Sequence, residues 1–172
     1  AGDLEDSVAL TTDPDVMRPA LARHDALIQG LITEHGGQVF KPVGDAFYTV
    51  FAATPAAIRA AIAVQPALAD APWETSQPLR VRMALHSGAA ELRDGDYFGP
   101  ALNRAARLLA AGHGGQVLLS QATHELVRDD LPAGTHLQAL GEHRLKDLTR
   151  PEPLYQVVAP DLPAAFPPLR TV

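Results

Sequence analysis

The stretch FKPVGDAF, residues 40–47, sets Lys41 four positions ahead of Asp45, and GDYFGPALNRAAR, residues 95–107, carries Asp96, Asn103 and Arg107. Asp45 follows a glycine between two apolar runs, which places one carboxylate at the turn of a hairpin. Asn103 and Arg107 are four apart on a helical pattern, so they share one face one turn apart. An amide beside a guanidinium suits a phosphorylated or polyhydroxylated ligand, because Arg binds phosphate oxygens bidentately. Asp3, in GDLEDS, is a second carboxylate, placed just before a helix. Taken singly, each has an ordinary explanation: an Asp after Gly is a common turn residue, and Asn and Arg on a helix are commonly solvated. The combination is more specific than its parts.

Two composition features sharpen it. There are no cysteines, so a metal must be held by carboxylate, imidazole or backbone oxygen. Only Lys41 and Lys146 are lysines among 14 basic residues, and a site that needs a compact ammonium is one reason to keep them. The net charge of -6 argues against nonspecific binding to a nucleic-acid backbone. No apolar run of about 18 residues and no signal-peptide pattern is present, so the chain reads as soluble and cytoplasmic. The seven histidines show no HExxH spacing, and GHGG at 112–115 lacks the lysine and hydroxyl of a phosphate-binding loop.

The elements that must position these residues follow from periodicity. Residues 14–35 read as a helix, capped by Asp13-Pro14 and stopped by Gly36-Gly37, with Pro19 indicating a kink or a late start. QVFKPVGDAFYTVFA reads as two strands and a tight turn, and residues 55–69 as a short helix. LRVRMALHSGAAELR is a strand with Val81, Met83 and Leu85 on one face. PALNRAARLLAAG is a helix ended by Gly112, GQVLLS a strand and QATHELVRDDLP a short helix. HLQALGEHRLKDL and LYQVV close the pattern as strands. Helices interleaved with short strands predict one α/β (α+β) domain, a mixed sheet covered by helices, over residues 1–158. The proline-rich residues 159–172 read as a tail or the start of a linker, and the chain as part of a longer protein.

GDLEDS, FKPVGDAF, HSGAAELRDGDYFGPALNRAARL, GQVLLS and LGEHRLKDL together resemble, in order and spacing, the motifs of the class III adenylate and guanylate cyclase homology domain, bacterial type. The resemblance runs from Asp3 to about Val158. It implies a ferredoxin-like mixed sheet covered by helices, and a head-to-tail homodimer with active sites at the interface. It implies that Asp3 and Asp45 bind two metal ions, Mg²⁺ or Mn²⁺, per site. Lys41 and Asp96 match the pair that reads the purine, and Lys with Asp implies adenine, hence ATP. Asn103 matches the residue that orients the ribose, Arg107 the arginine that stabilises the transition state, and Lys146 the triphosphate-binding lysine. The implied reaction is attack of the ribose 3′-hydroxyl on the α-phosphorus with loss of pyrophosphate, giving 3′,5′-cyclic AMP.

The chain departs from the family pattern where glycine gives way to Asp6 and threonine to Val8, in the loop expected near the triphosphate. A carboxylate there repels phosphate, and a Cβ limits close backbone approach. The alternative is therefore a degenerate cyclase-like domain that binds nucleotide, or serves as a dimerising input module of a larger regulator.

Overall fold

The computed structural model describes the backbone of residues 3–14, 21–43, 46–70, 81–93, 96–98, 100–146 and 148–171, and side chains within 26–39, 49–68, 81–88, 102–146 and 148–171. The order is β1 (Asp3–Pro14), α1 (Leu21–Glu34), β2 (Gln38–Val43), β3 (Ala46–Phe51), α2 (Thr54–Asp70), β4 (Val81–Arg93), β5 (Asp96–Phe98), α3 (Pro100–Ala111), β6 (Val117–Ser120), α4 (Gln121–Val127), β7 (His136–His143) and β8 (Glu152–Val158). The strands form one mixed sheet in the order β2-β3-β1-β4-β6-β8-β7, with β5 added to β4. β1 is antiparallel to both β3 and β4, whereas β4 and β6 are parallel. The run β1-α1-β2-β3-α2-β4 with β1 between β3 and β4 is the expected ferredoxin-like arrangement.

Strand alternation divides the core in two. Val81, Met83 and Leu85 point to the face covered by α1, α2 and α4, in one cluster with Ile28, Ile32, Phe51, Ile58 and Val127. Ala84 points to the opposite face, in a second cluster with Leu108 and Leu109 of α3, Leu118, Leu145 and Leu154. The same rule puts His86 on the α3 side.

The carboxyl end of α1 shows why sequence punctuation works here. Gly36 adopts φ 88°. Its N–H donates to the Thr33 carbonyl at 3.0 Å, and that of Gly37 to the Ile32 carbonyl at 2.9 Å. This is a Schellman cap, which satisfies carbonyls that the helix itself leaves open.

Three expectations are corrected. Residues 3–14 form a strand, so Asp3 does not precede a helix directly. Asp13 and Pro14 end that strand, paired with Arg82 and Val81, instead of capping α1. Among the described residues α1 begins at Leu21, and Pro19 lies outside them. The last hairpin is shorter than HLQALGEHRLKDL suggests: β7 stops at His143 and a turn follows.

Candidate active site

On α3 the residues Ala105, Leu108, Leu109 and Ala111 are buried, which turns Asn103 to the exposed face and leaves Arg107 half-buried. The i, i+4 pairing read from the sequence is therefore realised on one helix. Lys146 is exposed in a turn closed by the Leu148 N–H donating to the Leu145 carbonyl at 3.1 Å. Leu145, immediately before it, is 3% exposed and sits in the same cluster as Leu108, immediately after Arg107. One apolar cluster thus fixes the helix of Asn103 and Arg107 against the turn of Lys146.

The remaining candidates lie on strands whose backbone alone is described, or outside the described residues. Lys41 is in β2 where its register with β3 shifts between Phe40 and Val43, so it occupies an irregularity and not a regular ladder position. Asp96 opens β5 opposite Arg93. β5 also comes against β2, so the strands of Lys41 and Asp96 meet. Gly44 and Asp45 lie outside the described residues, between Val43 and Ala46, which pair across the hairpin.

Asp3 opens β1. β1 pairs Thr12 with Phe47, so the end of β1 beside the β2–β3 turn carries Asp13 and Pro14. Asp3 is at the opposite end, across from Glu91. Asp3 thus lies on β1, and Asp45, the other expected cation ligand, lies outside the described residues. Glu5 and Asp6 fall within the shift between Leu4 and Ser7. Among the described residues no group of three or more His, Asp or Glu is placed to hold a metal ion.

A groove that no sequence motif marks lies beside α3. It encloses about 760 Å³, and His86, Arg104, Glu125, Arg150 and Glu152 are among its lining residues. Arg104 Nη1 approaches Glu152 Oε2 at 3.4 Å, an exposed pair worth at most about 1 kcal/mol. His86 Nδ1 lies 2.7 Å from Ser120 Oγ, and Ser87 Oγ 2.9 Å from Thr123 Oγ1. Burial, and secondarily the Arg104 guanidinium, lower the His86 pKa from 6.5 to about 4, so it is neutral near pH 7. Alternation along β4, two residues from Ala84, was the signal that would have found it. No helix among the described residues is long and apolar enough to cross a membrane.

The sequence profile of the adenylate and guanylate cyclase catalytic domain matches residues 3–158, and the chain belongs to that family. An uncharacterized protein of Mycobacterium tuberculosis is 43% identical over 172 residues, covering 98% of this chain. The chain spans 58% of that relative's length. A receptor-type adenylate cyclase of Trypanosoma equiperdum is 28% identical over 200 residues, covering 91% of this chain and 43% of the relative. Among solved structures, an adenylate cyclase of Trypanosoma brucei in its monomeric state superposes with TM-score 0.84 at 25% identity, covering 99% of this chain and 95% of that one. An adenylate/guanylate cyclase/hydrolase from Silicibacter pomeroyi gives TM-score 0.78 at 29% identity, covering 93% and 99%.

Proposed function

We propose that this domain is an adenylate cyclase acting in the cytoplasm, which converts ATP to 3′,5′-cyclic AMP and pyrophosphate at sites shared between two head-to-tail copies of the chain. The observation that carries this reading is the common packing of Leu108 and Leu145, which holds the Arg107 helix against the Lys146 turn. A guanidinium and an ammonium presented from one rigid unit suit a triphosphate whose α-phosphorus gains charge during displacement. In the proposed reaction the ribose 3′-oxygen forms a bond to the α-phosphorus as the bond to the bridging oxygen of the leaving pyrophosphate breaks. The hydroxyl proton passes to solvent. Asn103, exposed on α3, holds the ribose; Arg107 meets the charge at the phosphorus; Lys146 holds the leaving phosphates. Lys41 and Asp96 read adenine, a role supported by the meeting of β2 and β5.

Mg²⁺ or Mn²⁺, two per site, completes the proposal through the family resemblance. The register favours a second choice of ligand, because Asp13 and not Asp3 ends the strand beside the hairpin turn. The separation of Asp3 from that turn also favours the degenerate, nucleotide-binding or dimerising module as a second reading. Purified protein given ATP and Mn²⁺ decides between enzyme and module. The reading predicts cyclic AMP and pyrophosphate in equal amounts, and the module predicts binding without either product.

A further inference from the structure

Residues 159–171 contain no helix or strand, yet they are docked along their length. Leu162 is 7% exposed in the larger core cluster. Gln156 Nε2 donates to the Ala164 carbonyl at 3.1 Å, and His113 Nε2 to the Pro168 carbonyl at 2.9 Å. The Arg170 N–H donates to the Ala111 carbonyl at 2.9 Å, and Thr171 Oγ1 lies 3.4 Å from His143 Nδ1. Leu169 packs on the cluster of Leu108, Leu145 and Leu154.

Two features make this strap specific. The first is a chain of amides with a fixed direction. The His113 N–H donates to Gln116 Oε1 at 3.0 Å, Gln116 Nε2 donates to Gln156 Oε1 at 2.9 Å, and Gln156 Nε2 donates to the strap. Gln116 and Gln156 are 2% and 3% exposed, so leaving either unpaired carries the full desolvation cost. The second is composition. Pro163, Pro167 and Pro168 restrict the undocked chain and so reduce the entropy lost on docking. Arg170 opposes this by pushing on Arg82, whose pKa is lowered by burial and then by Arg170. The strap is held by contacts to the end of α3 and the end of β7, the two elements that lead to Arg107 and Lys146.

We propose that residues 164–171 form a positioning strap, acting through Leu169, that holds the Arg107 helix and the Lys146 turn in their mutual arrangement. This rests on the cyclase reading for its catalytic consequence, though not for the mechanical coupling. On the cyclase reading the strap acts only through Arg107 and Lys146, the two groups its undocking loosens.

The test compares the unmodified protein with Leu169→Ala, Leu169→Met and His113→Ala, by backbone hydrogen exchange and by cyclase kinetics. Leu169→Ala is expected to raise exchange within 105–113 and 140–146 while α1 stays protected, and to lower kcat roughly tenfold, the scale on which loosened support misplaces charged groups. Leu169→Met restores both, and His113→Ala gives a smaller change of the same sign from outside the core. Unchanged exchange in those two segments overturns the proposal. So does a uniform rise across the whole chain in both Leu169→Ala and His113→Ala, and so does raised exchange with unaltered kcat. If the unmodified protein makes no cyclic AMP, the cyclase reading fails and the exchange measurements alone decide the coupling.

Discussion

His86 Nδ1 and Ser120 Oγ stand 2.7 Å apart and tie β4 to the first turn of α4, where Ser120 also accepts from the Thr123 N–H at 3.4 Å. His86 is 7% exposed and its pKa is lowered to about 4 in the fold, against 6.5 for the open chain. The unfolded chain therefore takes up a proton that the folded one refuses. Stability from this group is complete above about pH 6.5 and is lost as pH falls toward 4, at a slope on the order of 1 kcal/mol per pH unit. The melting temperature should drop between pH 7 and pH 5, and His86→Gln should flatten that dependence. An equally steep drop in the variant would assign the effect to other groups.

Gly37 and Gly30 should respond oppositely to the same methyl group. A Cβ on Gly37 would stand 2.6 Å from both Ile32 Cγ2 and Phe51 Cζ, side chains with no exposed surface. Overpacking of this kind costs about 1–3 kcal/mol. A Cβ on Gly30, inside α1, meets nothing within 4 Å, so alanine there stabilises by about 0.5–1 kcal/mol. Denaturant titration of the two variants should move the midpoint in opposite directions, and a shared direction would contradict the close packing at Gly37.

The proposed cation site offers a choice between two carboxylates. The motif order assigns Asp3, whereas the pairing of Thr12 with Phe47 sets Asp13 beside the hairpin turn that holds Asp45. Asp45→Ala should abolish Mn²⁺-dependent turnover and leave the melting temperature nearly unchanged, because a turn carboxylate packs little. Of Asp3→Ala and Asp13→Ala, the one that matches this loss identifies the partner ligand. Near-normal turnover in Asp45→Ala would remove the two-metal reading altogether.

The proposed function assigns base selection to Lys41 and Asp96. Adenine presents an amine donor beside an acceptor nitrogen, which an Asp and a Lys complement; guanine presents the reverse. A mismatch leaves a polar group unpaired at about 1–3 kcal/mol, so kcat/KM should favour ATP over GTP by about tenfold or more. Lys41→Glu with Asp96→Gly should erode that ratio. Equal kcat/KM for the two nucleotides in the unmodified protein would show that this pair does not read the base.

What could be read from the chain depended on how local the determinants are. The stop of α1 at Gly36-Gly37 and the inward row of Val81, Met83 and Leu85 are set by residues within a turn or a strand of one another, and both were legible. The shared face of Asn103 and Arg107 was legible for the same reason. β1 was not, because its acidic start and its terminal Asp13-Pro14 resemble a loop and a helix cap, and only pairing with β3 and β4 makes them a strand. The register of β1 against β3 and β4 was likewise hidden, because no short window encodes register. The tail reads as linker by composition, while its docking depends on His113, Gln116 and His143, far back in the sequence.

The proposal that metal-binding and phosphate-binding residues of one site come from different copies is tested most directly by mixing two inactive variants. Asp45→Ala lacks the cation ligand and Arg107→Ala lacks the guanidinium, so each homodimer is dead. A mixed dimer carries one site with both residues intact. With random pairing, equal mixing should restore roughly a quarter of the unmodified cyclic AMP rate, since about half the dimers are mixed and each has one working site of two. No recovery above the separate variants, in a mixture shown to exchange subunits, would contradict a shared site.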